Sequence, residues 1–128
     1  MSVKILMAVA AGGAFGAVGR YCVTVGAAYW IGVGFPIGTV IANLLGSFIL
    51  GIIYEASLLA WSPTAELRSF LIVGVLGGFT TFSGFSLDAF NLWERGDVWL
   101  AVVYVSASVV LGVLCFFFGL TLMRALLA

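Results

Sequence analysis

The chain has 128 residues, of which 64% are hydrophobic and 8% are charged, and its formal net charge is zero. A water-soluble domain carries about a quarter charged residues, so this composition excludes a soluble globular protein and indicates an integral membrane protein. The balanced charge also excludes the basic surface that nucleic acid requires.

Four apolar segments predict an all-α membrane protein. A transmembrane helix needs about 20 apolar residues, and the segments run over roughly 3–28, 37–60, 67–92 and 98–127 within one transmembrane domain, 1–128. Their short connections predict that sequential helices are antiparallel neighbours. The tryptophans lie at predicted helix ends, as in the aromatic belts of membrane proteins. They are Trp30, Trp61, Trp93 and Trp99. No cleavage-site pattern follows the early apolar run, so we expect no signal peptide.

The first segment contains a charged residue deep inside it, Arg20. Charged groups inside a membrane are costly and usually functional, so Arg20 is a candidate fixed positive charge that attracts anions. The alternative is an arginine that packs, or that extends its guanidinium to the membrane surface. Gly12 and Gly16 form a G-x-x-x-G pair, as do Gly74 and Gly78, and this spacing is typical of closely packed helices.

The second segment has two polar residues on one helix face, because Asn43 follows Thr39 by four residues. An asparagine amide can donate two hydrogen bonds to an anion. The alternative is that Asn43 forms a hydrogen bond between helices and holds the fold together.

The third segment contains the most unusual stretch of the chain, residues 77–86, which reads GGFTTFSGFS. Paired glycines followed by β-branched threonines make a poor continuous helix. A break at membrane depth is tolerated only where it is buried in protein or lines a wet cavity, so it indicates an ion or substrate site. Phe82 and Phe85 share one face, and their ring edges carry weak positive potential suited to an anion. Core packing is the alternative for both rings.

Four further signals concern helix ends and the fourth segment. Thr64 is a candidate N-cap for the third segment, and Gly96 is a candidate helix stop before the fourth. Tyr104 and Ser108, four residues apart, form a second hydroxyl face on the fourth segment. Ser108 and Gly112 also have the spacing of a close-packing pair.

The basic residues are almost equally divided between the two sides of the membrane. Lys4, Arg68 and Arg124 fall on the side of the termini, and Arg20 and Arg95 fall on the opposite side or lean towards it. Orientation follows this asymmetry, so a bias of three against two predicts insertion in both orientations. The alternative is a single orientation fixed by other details. Four helices enclose little space, so a hydrated path requires an oligomer.

Three segments of this sequence, in order, resemble motifs of the Fluc (CrcB) family of fluoride channels. Residues 77–86 look like its G-G-x-T-T-F-S-x-F-S signature, and residues 38–46, GTVIANLLG, look like its G-T-x-x-x-N-x-x-G segment. Residues 16–21, GAVGRY, are similar to its G-A-x-x-R-[YW] motif. The resemblance covers the length, the four spans and the order of motifs.

The resemblance implies a multi-pass protein of the bacterial inner membrane that exports cytoplasmic fluoride passively. It implies an antiparallel, dual-topology homodimer in membrane lipid, with two fluoride pores and a structural sodium ion at its centre. Asn43, Phe82 and Phe85 match the family's pore-lining residues. The matches to its polar track are Ser83, Tyr104 and Ser108, and Thr39 shares the face of Asn43. The third helix would be broken in mid-membrane, where carbonyls of Gly77 and Thr80 match the sodium ligands. Asp88 stands where some relatives have glutamate, which leaves its role at the pore mouth open.

Other functional classes agree less well with these residues. A proton-coupled exporter like the small multidrug resistance family also has four short spans, but it uses a glutamate in its first helix, where this chain has Arg20. A non-transporting membrane subunit would not explain the hydroxyl-rich third segment. An enzyme is the weakest alternative because the chain has no histidine and no cluster of cysteines or acids. Cys22 and Cys115 lie in different apolar segments and are interpreted as packed hydrophobes.

Overall fold

The computed structural model describes residues 1–128, and its regular elements are all helices. Helix α1 spans Val3–Ile31 and α2 spans Ile37–Leu59. The third span, Ala65–Glu94, is assembled from α3, a π-helical segment, α4 and α5. These cover Ala65–Arg68, Ser69–Leu76, Gly77–Phe79 and Phe82–Glu94 respectively. Helix α6 spans Val98–Leu127.

Helices α1, α2 and α6 and the third span are each long and apolar enough to cross a membrane, as predicted from the sequence. The largest difference in bounds lies at the end of α1, which was predicted near residue 28 and ends at Ile31. Helix α1 then stops where Gly32 adopts a positive φ of 107°, a backbone conformation that favours glycine.

The two predicted helix-end signals are confirmed. The side chain of Thr64 accepts a hydrogen bond from the amide of Leu67 at 3.2 Å and so caps the N-terminus of α3. Gly96 follows α5 with a φ of 85°, the left-handed conformation that ends many helices. Next to it, the guanidinium of Arg95 donates to the carbonyl of Gly34 at 2.8 Å. The first and third connections are thereby joined at the same end of the molecule.

Helix α1 packs against the third span through backbone-to-backbone contacts at glycines. A Cβ on Gly12 would collide with the carbonyl oxygen of Phe70, and a Cβ on Gly16 would collide with that of Val75. Gly74 in turn lies against Gly12. The predicted G-x-x-x-G pairs therefore serve packing within one subunit, where small residues let backbones approach closely.

Helices α2 and α6 form a second pair with the same kind of contact. A Cβ on Gly51 would collide with the carbonyl oxygen of Phe116, and one on Gly119 would collide with that of Phe48. The rings of Phe48 and Phe118 stack with centroids 5.6 Å apart. By contrast, Gly112 has no heavy atom near its Cβ position, so it serves no packing within this chain.

An ion pair that we did not predict also connects α2 to α6. The carboxylate of Glu55 is 2% exposed, and the Nε of Arg124 donates to its Oε1 at 2.6 Å. The other carboxylate oxygen, Oε2, is buried without a hydrogen-bond partner. The side chain of Arg124 is 62% exposed, so Glu55 is the buried member of the pair, and removal of Arg124 would leave its carboxylate as an uncompensated buried charge.

We predict that Arg124→Leu lowers thermal stability in detergent, because it strands the buried Glu55 carboxylate among apolar groups. The double variant Glu55→Leu/Arg124→Leu should recover much of the loss, since both charges are then gone. Melting temperatures of the two single variants and the double variant form a cycle that measures the coupling. Strictly additive effects would show that the two side chains do not interact.

Candidate functional site

The third span changes direction at two residues between α4 and α5. Thr80 has φ −80° and ψ 155°, and Thr81 has φ −150° and ψ 121°, so both have extended backbone. Before this point, the amide and the hydroxyl of Thr80 both donate to the carbonyl of Leu76, at 2.9 and 2.8 Å. After it, the hydroxyl oxygen of Thr81 accepts from the amide of Gly84 at 2.8 Å and caps α5.

Asn43 on α2 holds this extended segment with both ends of its carboxamide. Its Oδ1 accepts from the amide of Thr81 at 2.7 Å, and its Nδ2 donates to the carbonyl of Thr81 at 3.0 Å. Asn43 therefore makes the interhelical bond that the sequence left as an alternative. One of its two amide protons, rather than both, remains for an anion.

Arg20 reaches the same segment from α1. Its Nε donates to the carbonyl of Gly78 at 3.2 Å, and the residue is half-buried. The guanidinium therefore packs at the end of α4 and places a positive charge beside it. This contact agrees with both sequence interpretations, a packing arginine and a fixed charge near an anion path.

Two carbonyls at this segment lose their usual helical donors to side chains. In a continuous helix the amide of residue i+4 bonds to the carbonyl of residue i. The carbonyl of Gly77 would take the amide of Thr81, which instead bonds to Asn43. The carbonyl of Thr80 would take the amide of Gly84, which instead bonds to the Thr81 hydroxyl. Oxygen atoms freed in this way are natural ligands for a hard cation.

A groove of about 370 Å³ runs along α2, α6 and the extended segment. It brings together most of the side chains and backbone positions that the sequence predicted for a pore and a cation site. These are Asn43, Gly77, Thr80, Phe82, Phe85 and Ser108. Ser83 is exposed beside the groove, with its hydroxyl 3.2 Å from that of Thr81. The groove is open on the surface of the single chain.

The two phenylalanine rings differ in burial. Phe82 is 79% exposed, so it is not a core residue of this chain. Phe85 is half-buried and lies between Phe82 and Tyr104, with ring centroids 5.5 Å and 5.3 Å away. The rings thus form a continuous aromatic path from the exposed groove to a buried hydroxyl.

Asp88 organises the polar groups at the buried end of this path. Its Oδ2 accepts from the hydroxyl of Thr39 at 2.6 Å and from that of Tyr104 at 3.2 Å. Tyr104 is 1% exposed, so its hydroxyl depends on this carboxylate for a partner. Thr39 and Asp88 also line a second cavity of about 230 Å³, towards Asn91 and Arg95. The sequence predicted the two hydroxyls but not that they meet at Asp88.

The chain is similar to known proteins over nearly its whole length. A family profile described as "CrcB-like protein, Camphor Resistance (CrcB)" matches residues 7–120. The chain is 50% identical over 125 residues to a protein of Rhodospirillum centenum named "Fluoride-specific ion channel FluC", covering 98% of this chain and 99% of that protein. Proteins with the same name from Nitrobacter winogradskyi and Agrobacterium fabrum are 44% and 48% identical. These alignments cover 98% and 92% of this chain and 100% and 94% of the relatives.

The relatives are named as ion channels, a non-enzymatic class, as expected from the absence of a catalytic cluster. Four spanning helices and channel relatives together identify a multi-pass membrane protein. A match over nearly the whole chain, at up to half identity, also confirms the resemblance carried by the three motifs. The chain therefore belongs to the CrcB family.

Proposed function

We propose that this protein is a fluoride-selective passive channel that exports cytoplasmic fluoride across the bacterial inner membrane. The observation that carries the proposal is the groove in which two phenylalanine rings, an amide and a hydroxyl converge. Ring edges and single-proton donors offer a partly dehydrated anion weak, repeated stabilisation. Conduction requires such sites, because an ion that is held tightly does not leave.

A second, inverted copy of the chain would close the groove. Phe82 and Ser108 line a groove that is open in the single chain, and the polar groups of an open groove would face lipid, where they are costly. The nearly equal basic residues on the two sides favour insertion in both orientations. An antiparallel homodimer would then contain two equivalent grooves, and so two pores, related by a two-fold axis.

The buried end of each path would lead fluoride past Thr39 and Tyr104. Each hydroxyl has one proton to donate, and both protons point to Asp88 in this structure. Fluoride passing these groups would compete with the carboxylate for the same protons. The positive guanidinium of Arg20, held at the Gly78 carbonyl, favours an anion nearby.

A sodium ion at the dimer centre would fit the freed carbonyls of Gly77 and Thr80. These oxygens lose their helical donors to Asn43 and to the Thr81 hydroxyl. Two inverted copies would present them from both sides of the axis as a small, all-oxygen cage suited to a hard monovalent cation. Bound there, the ion would have a structural role, beside the pores rather than in them.

We expect purified protein in liposomes to release fluoride down its gradient, with an ionophore compensating the charge. Chloride in the same vesicles should be retained, because a groove closed by a second copy and lined by closely spaced rings would be too narrow for the larger anion, and the relatives are named fluoride-specific. Ion-selective electrodes measure both anions in one experiment. Comparable chloride release, or no fluoride release from correctly assembled protein, would contradict the proposed function.

We expect Phe82→Ile and Phe85→Ile each to reduce fluoride flux about tenfold, which corresponds to about 1.4 kcal/mol for the loss of an aromatic contact. The matched control is Phe117→Ile, because Phe117 is also exposed but lies on α6 outside the groove. Flux and size-exclusion behaviour are measured on the same samples. Flux near the wild-type value in all three variants would assign the rings to packing alone.

A further inference from the structure

We propose that Thr81 is a positioning residue for the cation site, because it keeps the carbonyls of Gly77 and Thr80 free of hydrogen-bond donors. The inference rests on the sodium ion of the proposed function. Thr81 acts twice. Its backbone amide is bound to Asn43 at 2.7 Å, and its hydroxyl binds the amide of Gly84 at 2.8 Å.

The hydroxyl of Thr81 keeps the carbonyl of Thr80 free. Without this hydroxyl, the amide of Gly84 has no partner. Its regular partner in a helix is the carbonyl of Thr80. An amide without a partner inside a membrane is costly. Loss of the hydroxyl would therefore pull the Gly84 amide towards the Thr80 carbonyl and turn that carbonyl back along the helix axis.

The backbone amide of Thr81 keeps the carbonyl of Gly77 free. Asn43 holds both the amide and the carbonyl of this residue, which fixes the orientation of two successive peptide groups. The extended ψ of Thr80, 155°, is maintained by this clamp. The Gly77 carbonyl then has no competing donor, since the other nearby amide, that of Thr80, bonds to Leu76.

Arg20 removes the carbonyl of Gly78 from the possible cation ligands. The carbonyl of Gly78 lies between those of Gly77 and Thr80 in sequence, yet it accepts from the guanidinium of Arg20. A positive group at that oxygen disfavours a cation there. Thr81 and Asn43 thus leave the oxygens of Gly77 and Thr80 bare, while Arg20 occupies that of Gly78, one of the two carbonyls between them.

A further contact keeps Thr80 in place from the opposite helix. A Cβ on Gly46 of α2 would collide with the methyl group of Thr80. Gly46 therefore gives Thr80 the room to approach α2, three residues after Asn43 on the same helix. The clamp and this close contact act on adjacent residues of the extended segment.

The test measures sodium binding through thermal stability. Wild-type dimer in detergent is melted over a sodium series, with choline keeping the ionic strength constant. A ligand that binds only the folded state raises the melting temperature as its concentration exceeds its dissociation constant. Each variant is compared with its own sodium-free melting temperature, so a general loss of stability does not enter the result.

Thr81→Val removes the hydroxyl at nearly constant volume, and Thr81→Ala is measured beside it in case the valine variant does not assemble. We expect either variant to raise the half-saturating sodium concentration about tenfold, the effect of one lost hydrogen bond of about 1.4 kcal/mol. Thr81→Ser keeps the hydroxyl and should bind sodium like wild type. The matched control is Thr121→Val, because the Thr121 hydroxyl bonds only to carbonyls of its own helix, α6.

The outcomes separate this inference from the proposal beneath it. A saturable sodium shift in wild type that survives unchanged in Thr81→Val or Thr81→Ala would overturn the role of Thr81 and leave the sodium site intact. Absence of any shift in wild type would overturn the sodium site and this inference together, while fluoride flux would still test the channel. An equal loss in Thr121→Val would also reject the inference, because it would trace the effect to removal of any threonine hydroxyl.

Discussion

Backbone polar groups inside a membrane need partners, because lipid supplies none. Between α4 and α5 the helical ladder stops, and three side chains bond to four of the groups that it leaves, while the carbonyls of Gly77 and Thr80 have no donor. Asn43 binds the amide and the carbonyl of Thr81, Arg20 binds the carbonyl of Gly78, and the Thr81 hydroxyl binds the amide of Gly84. These contacts come from α1, α2 and the third span itself. The packing of those helices and the shape of the extended segment therefore determine each other.

This constraint connects the proposed pore to the proposed cation site. Asn43 lines the groove and also clamps the segment whose carbonyls would hold sodium. Fluoride at the remaining amide proton of Asn43 would act on the same carboxamide that orients Thr81. Binding at two sites that share such an element is reciprocally coupled. The glycine contacts of α1 and α2 keep the helices close enough for these short bonds to form.

Local chemistry made part of this arrangement predictable. Apolar length predicted the four spans, Thr64 predicted the start of α3, and Gly96 predicted the stop after α5. The pattern of residues 77–86 identified a poor helix, and the extended threonines lie within it.

The partners of polar side chains were not predictable, because they depend on tertiary placement. Glu55 pairs with a residue 69 positions away, and Thr39 and Tyr104 meet at an acid whose role the sequence left open. The π-helical segment Ser69–Leu76 lies in a plain apolar run that carries no signal for it.

A density map of the dimer, purified in sodium at a resolution that shows carbonyl oxygens, would reveal whether two copies share a cation at the extended segment. We expect two inverted copies crossing there, with density on the two-fold axis contacted by carbonyls of Gly77 and Thr80 from both chains. We also expect the Thr81 amide on Asn43. A continuous helix through residues 77–84, with the Thr81 amide on the Gly77 carbonyl and no density on the axis, would contradict this arrangement.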